Sequence, residues 1–279
     1  KFSDLVARYD EAGIPTYTEL ILGLAGETLE SFFDGIERNL DAGQHAGIFI
    51  YLNLMLENTE QNTSEYVAAH GLQVRSIQAM LSHGTPSTET VRERQTIVIG
   101  TAAMSHVEWR RAYLYGKTLE IFHSQGLLRH VAIAFRGRGM RYRDFYGALL
   151  DWCLAHPDTA VGGALRMVER QMDDVLCGGS WDCVDARFGD ISWPPEEFAF
   201  ASLCCDLTRC HEELTDFLVT MTSAADAGRL VDEQRACAIV PPAPGSEAEW
   251  ARRVVWYGRR GTGTRAVAVS AKTGEAHGR

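Results

Sequence analysis

The chain has 279 residues, a formal net charge of −10 from 27 Lys and Arg against 37 Asp and Glu, and 46% hydrophobic residues. That length allows one large domain or two ordinary ones, with enough apolar residues for a substantial core. The acidic balance disfavours nucleic acid as a partner, because phosphate binding needs clustered Lys and Arg, and no apolar run approaches the roughly 20 residues that span a bilayer.

Phe2, Leu5, Val6 and Tyr9 recur at helical spacing. The chain thus opens at Lys1 inside an amphipathic helix, not in a signal peptide, as expected of a partial chain. Gly13 supplies a helix stop, and Pro15 follows it. Tyr17 to Leu22 is an apolar run suited to a buried strand, and the chain then turns through Gly23-Leu24-Ala25-Gly26-Glu27. Thr28 can cap a helix whose stripe is Leu29, Phe32, Phe33, Ile36 and Leu40, with Gly43 at its end. A second strand is predicted from Ile48 to Leu56. Helix, strand, helix, strand with short connections is the signature of parallel β/α construction. Ligands of such folds sit beyond the C-terminal ends of the strands, here Gly23–Glu27 and Leu54–Glu60.

After residue 60 the pattern changes. A short helix is predicted near Tyr66–His70, a loop over 82–90 and a short strand over Thr96–Gly100. Long helices are predicted at 104–125, 141–155, 160–175 and 196–222, with Gly- and Pro-rich breaks at 177–195 and 240–247. Val254 to Ser270 reads as a closing hairpin, and the stretch from Lys272 as disordered. Arg136, Arg138, Arg141 and Arg143 read as a solvated basic loop. The seven cysteines are odd in number and irregularly spaced. They suggest reduced thiols in a cytoplasmic compartment. Cys204 and His211 lie two turns apart on a predicted helix, roughly 10 Å along its axis, too far for one zinc ion. No metal site is expected, and His45, Glu93, His106 and Glu108 are isolated candidates only.

The Gly23–Glu27 turn carries the most chemistry. Two glycines after a buried strand let backbone approach a ligand, and the helix start beside it offers free N–H groups to an anionic or polar cofactor. The segment Thr18-Glu19-Leu20-Ile21-Leu22-Gly23-Leu24-Ala25-Gly26-Glu27-Thr28 resembles the fifth strand and exit turn of radical S-adenosylmethionine (SAM) enzymes. Ile48–Tyr51 through Leu56-Glu57-Asn58-Thr59-Glu60 is similar to their sixth strand. The most similar branch carries an N-terminal cobalamin-binding domain. Beyond residue 60 the likeness is diffuse, through Ile97–Thr101, Trp109 and Trp256–Arg259.

The resemblance implies an α/β chain. Residues 1–60 would be the last strands and helices of a partial (β/α)6 radical SAM barrel, and 61–279 a mostly helical C-terminal extension. It assigns Gly23, Leu24, Gly26 and Glu27 to the wall of the SAM site. Strand alternation puts Glu19 on the face of Tyr17, Ile21 and Gly23. On the next strand, Tyr51 and Asn53 share a face with Phe49 and Met55. In a barrel these faces are the lumen, which implies hydrogen bonds from a cofactor ribose or amino group to Glu19 and contacts of Tyr51 and Asn53 with SAM or substrate. Exposed Glu19 outside any site, and Tyr51 and Asn53 as core residues with backbone partners, are the alternatives. Ala25 stands where the family has Pro, which loosens the turn.

No CxxxCxxC triplet is present, so ligands for a [4Fe–4S] cluster are expected upstream of Lys1. This chain by itself is expected to be inactive. The full-length enzyme would use SAM, the cluster and, in this branch, cobalamin. It would apply 5′-deoxyadenosyl radical chemistry to a small-molecule or natural-product substrate, with an external electron donor; methyl transfer is a frequent outcome in the cobalamin-linked branch, and the sequence leaves the reaction open. Two other readings stay open: a non-catalytic interaction protein on a degenerate barrel, and an unrelated α/β enzyme whose glycine turn binds phosphate.

Overall fold

A computed structural model describes residues 2–80, 82–86 and 92–237, together with the backbone of 253–260 and 263–270. Helix α1 (Phe2–Glu11) leads through Gly13, at φ +68°, into strand β1 (Thr18–Leu22). Helix α2 (Leu29–Asp41) then crosses to strand β2 (Ile48–Leu52), which pairs parallel with β1 from Thr18↔Ile48 to Leu22↔Leu52. Thr28 caps α2 as predicted: its hydroxyl accepts from the Ser31 N–H, and the Ser31 hydroxyl accepts from the Thr28 N–H. Phe32, Ile36 and Leu40 bury the inner face of α2. The described residues thus hold one parallel βαβ unit, not a barrel.

Helix α3 (Ser64–His70) ends at Gly71, and strand β3 (Gln73–Gln78) follows. The sequence reading has no strand there, because Gln73-Val74-Arg75-Ser76-Ile77-Gln78 buries only Ile77. β3 pairs antiparallel with β4 (Arg94–Gly100). β4 also reaches the first sheet: the Met55 N–H donates to the Thr96 carbonyl and the Val98 N–H to the Asn53 carbonyl.

The remainder is mostly helical: α4 (His106–Leu119), α5 (Arg129–Gly137), α6 (Tyr142–Ala155), α7 (Ala160–Leu176), α8 (Pro195–Cys204), α9 (Leu207–Val219) and α10 (Ala224–Cys237). The single helix predicted over 196–222 is two, because the Asp206 carboxylate caps α9 by accepting from the Arg209 N–H. Cys204 and His211 therefore share no helix axis. The predicted basic loop is shorter than expected, a connection over 138–141 that holds Arg138 and Arg141, with Arg136 on α5 and Arg143 on α6, and its arginines are paired. Arg136 meets Asp41, Arg138 meets Asp226, Arg141 meets Asp144, and Arg143 meets Glu30 and Asp34.

One apolar core runs from Leu22 and Ile36 through Trp109, Leu149 and Phe217 to Val231. Each such side chain contributes about 1.5–3 kcal/mol on full burial. Helix α4 lies closest to the strands. A Cβ on Gly116 would stand 2.6 Å from Ile50 Cδ1, so the helix–strand approach depends on that glycine.

Immediately after α4, Glu120–Ser124 form a turn of π-helix. Its side chains satisfy the edge of β2 that faces away from β1. The Glu120 carboxylate accepts from the Ile50 N–H, and the Ser124 hydroxyl accepts from the Ile48 N–H and donates to the Ile48 carbonyl.

Strands β5 (Arg253–Arg260) and β6 (Gly263–Ser270) form an antiparallel hairpin, as the sequence suggests. The predicted break at 240–247 and the stretch from Lys272 lie outside the described residues. Among the described residues, no helix is long and apolar enough to cross a membrane.

Candidate functional site

Alternation divides the β1–β2 pair. Leu22, Ile48 and Ile50 are buried, whereas Tyr17, Glu19, Ile21 and Tyr51 are exposed on the opposite face. That second face borders a cavity of about 500 Å³. Glu19 and Tyr51 line it from the strands, Tyr113, Lys117 and Glu120 from α4 and the π turn after it, Trp181 from the segment before α8, and Glu196 and Glu197 from the first turn of α8.

A buried ion cluster forms part of the wall. Lys117 Nζ lies 2.7 Å from Glu120 Oε2 and 3.0 Å from Glu196 Oε2. Burial pulls the Lys117 pKa down, but the two carboxylates outweigh it and the ammonium is held above its ordinary range. Burial raises the Glu120 pKa, against the pull of Lys117. His83 Nε2 stands 2.6 Å from Glu197 Oε2, and that hydrogen bond raises the imidazole pKa despite partial burial. Burial raises the Tyr51 phenol, and Glu19, Glu120 and Glu196 add to the effect. The Tyr113 hydroxyl and the Trp181 indole N–H are buried without hydrogen-bond partners.

The seven residues singled out in the sequence separate into three groups. Glu19 and Tyr51 share the cavity. Asn53 is buried, and its side-chain amide donates to the Gly23 carbonyl at 2.9 Å, so it fastens the turn to the end of β2. Gly23, at φ +100°, has its Cβ side against protein: an added Cβ would lie 3.2 Å from the Val98 carbonyl and 3.5 Å from Trp109 Nε1. Leu24 and Gly26 are exposed, and the Cβ direction of Gly26 is open. Glu27 is half-buried beside them; burial raises its pKa, and its Oε2 has no hydrogen-bond partner.

The isolated candidates have local roles. Glu108 and Ser105 cap α4, His106 Nδ1 is 2.9 Å from the Ile99 carbonyl, and Glu93 is exposed. His45 meets the buried His123, which in turn meets the Tyr146 hydroxyl. Cys153, Cys183, Cys204 and Cys210 are buried thiols whose pKa values burial raises, that of Cys183 to about 12. Among the described residues, no three His, Cys, Asp or Glu side chains converge as ligands for a metal ion.

The sequence reading missed Lys117, Glu120, Tyr113, Trp181, His83, Glu196 and Glu197. A Lys–Glu pair three residues apart ordinarily reads as a solvated helix face. The available signal lay in its neighbours: Tyr113, Leu114, Tyr115, Gly116, Thr118 and Leu119 leave the second half of α4 no charged side other than Lys117 itself.

No protein-family model matches the chain. Over most of its length, however, the chain is similar to the C-terminal part of radical SAM methyltransferases of the cobalamin-dependent kind. One is the cobalamin-dependent radical SAM methyltransferase TokK of Streptomyces tokunonensis, 32% identical over 251 residues, 84% of this chain and 36% of the relative. Another is the 2-(S-pantetheinyl)-carbapenam-3-carboxylate methyltransferase of Streptantibioticus cattleyicolor, 31% identical over 271 residues, 89% of this chain and 40% of the relative. The chain therefore spans 36–40% of the length of these curated relatives. The likeness recognised over residues 14–60 extends across the helical part as well.

Proposed function

We propose that this chain forms one wall of the reaction chamber of a radical SAM methyltransferase, with the open β1–β2 face turned toward cofactor and substrate. The observation that carries the reading is the meeting of Glu19 and Tyr51, two candidates chosen from the sequence, on one cavity of about 500 Å³. That volume suits a small-molecule ligand. The similarity to cobalamin-dependent relatives over 84% and 89% of the chain supports the same class of chemistry.

In this reading residues 1–60 complete a partial barrel, and the extension from residue 61 borders the chamber. Glu19 turns its carboxylate, and Tyr51 its ring and hydroxyl, toward the space that substrate occupies beside the cofactor. Leu24 and Gly26 present the open side of the turn. Asn53 and Gly23 hold that turn rigid from behind, through the amide–carbonyl bond and the contact with Val98. Glu27, with an unpartnered carboxylate oxygen, stands at the turn to accept a hydrogen bond from the cofactor. When bound, SAM supplies the radical that opens an unreactive C–H bond, and cobalamin carries the methyl group. The cluster is held by residues outside this chain. An external electron donor and a small-molecule or natural-product substrate complete the set.

The test uses the intact protein that contains this chain, with its cluster reconstituted anaerobically. Saturable SAM binding, with release of 5′-deoxyadenosine under reduction, is expected. A protein that assembles a cluster but neither binds nor consumes SAM would end this reading.

A further inference from the structure

The cavity that Glu19 and Tyr51 share has an unbalanced charge. Four carboxylates line it, those of Glu19, Glu120, Glu196 and Glu197, against two basic side chains, Lys117 and His83. Both basic groups are already engaged. His83 and Glu197 satisfy each other at 2.6 Å. Lys117 faces two carboxylates, at 2.7 and 3.0 Å. Glu19 has no ion-pair partner among the described residues. If Glu120 holds a proton, the Lys117 cluster becomes neutral and Glu19 remains in excess; if it does not, the excess is larger. The field at Tyr51 agrees, with three carboxylates opposing its ionisation and one ammonium favouring it.

The walls have a second property. Tyr17, Phe49, Tyr51, Tyr113 and Trp181 contribute aromatic rings, and Tyr17 and Phe49 meet edge to face with centroids 5.8 Å apart. Ring faces attract cations, most strongly where water is partly excluded. A bound anion would have to take Lys117 from one of its carboxylates and leave that charge in a buried wall, which is strongly unfavourable.

We infer that this cavity binds the positively charged nitrogen of an organic substrate, an ammonium or guanidinium group held between the Glu19 carboxylate and the rings of Tyr51 and Phe49. The inference rests on the reading of this face as substrate-facing, and it names the charge class that the face selects. Glu19 and Tyr51 are then specificity-determining: the first by charge, the second by its ring. Lys117 serves as a positioning residue that keeps Glu196 and Glu120 in the wall.

The probes are 2-phenylethylammonium and 3-phenylpropanoate, which share a ring and differ in charge. Calorimetric titration of the intact protein is expected to show saturable binding of the amine and none of the carboxylate. Glu19→Gln, an exposed and nearly isosteric change, should weaken amine binding about tenfold, equivalent to about 1.4 kcal/mol. Tyr51→Leu should weaken it about threefold, within the range for a half-exposed cation–ring contact. Equal or tighter binding of the carboxylate, or amine binding indifferent to Glu19→Gln, overturns the inference. A titration repeated in saturating SAM separates the two sources of positive charge. Unchanged amine affinity assigns the subsite to the substrate, whereas competitive displacement assigns it to the cofactor and overturns the substrate assignment. Intact SAM binding with no amine preference defeats only this inference. Amine binding with no SAM binding defeats the radical SAM reading instead.

Discussion

Replacing Lys117 with Met tests the ion cluster directly. The Lys117 side chain is 9% exposed, and its ammonium lies between Glu120, whose side chain is 2% exposed, and Glu196. Methionine is close in volume and keeps the stem packed, so the loss is mainly charge. Glu120 then faces Glu196 without a cation and can relieve the conflict by taking up a proton. Removing one partner of a buried ion pair costs roughly 3–5 kcal/mol, and a loss in that range is expected here. The sign with pH follows from linkage. In the folded protein the Glu120 carboxyl is already raised to about 8, and losing Lys117 raises it further, so the pH-dependent part of the deficit appears above about pH 8 and grows as pH rises. Urea denaturation at about pH 7 and pH 9.5 should give the larger deficit at the higher pH. The double variant Lys117→Met/Glu120→Gln should recover part of the loss at the higher pH. A deficit below about 1 kcal/mol, or one equal at both pH values, would refute a buried charge cluster.

Asn53→Ala leaves the Gly23 carbonyl without its side-chain donor and should cost about 1–3 kcal/mol by chemical denaturation; a neutral change would mean that the turn does not depend on this bond. Gly23→Ala should destabilise more than Gly26→Ala. Both residues have positive φ, a strain of about 1–2 kcal/mol for an L side chain, but only Gly23 also meets Val98, and comparable losses in melting temperature would contradict that packing. His83→Gln should destabilise more at about pH 5.5 than at pH 9. Glu197 raises the folded imidazole pKa above 6.5, so its stabilisation is complete below that value and fades as pH rises through the folded pKa; thermal melts at the two pH values check the order.

The sequence pointed clearly to the βαβ unit, because each level of signal agreed there. Thr18–Leu22 and Ile48–Leu52 are short apolar runs, Thr28 and Ser31 cap α2, and Gly43 closes it at φ +91°. It failed where tertiary packing overrode local pattern. β3 exposes four of its six residues and buries only Ile77. Arg136 and Arg143 looked like part of a basic loop because the acids that neutralise them, Asp41 for the first and Glu30 and Asp34 for the second, lie about 100 residues earlier on α2. The site was half visible. Glu19 and Tyr51 follow from strand alternation, but Lys117 and Glu120 became cavity residues only when α4 packed across β2. Gly23 had the opposite fate: its glycine signal was genuine, yet what comes close to it is Val98 and Trp109.

The π turn after α4 has a consequence for how this sheet can be extended. An unpaired strand edge is a template for further strands, from within a protein or from a neighbour. On β2 that template is already occupied, since Glu120 and Ser124 stand in for the next strand. Among the described residues, the outer edge of β1 carries no strand. The pair is therefore a one-sided seed: a further parallel strand can join at β1 and is refused along Ile48–Ile50. Two polar side chains on one widened helical turn thus decide where the sheet stops.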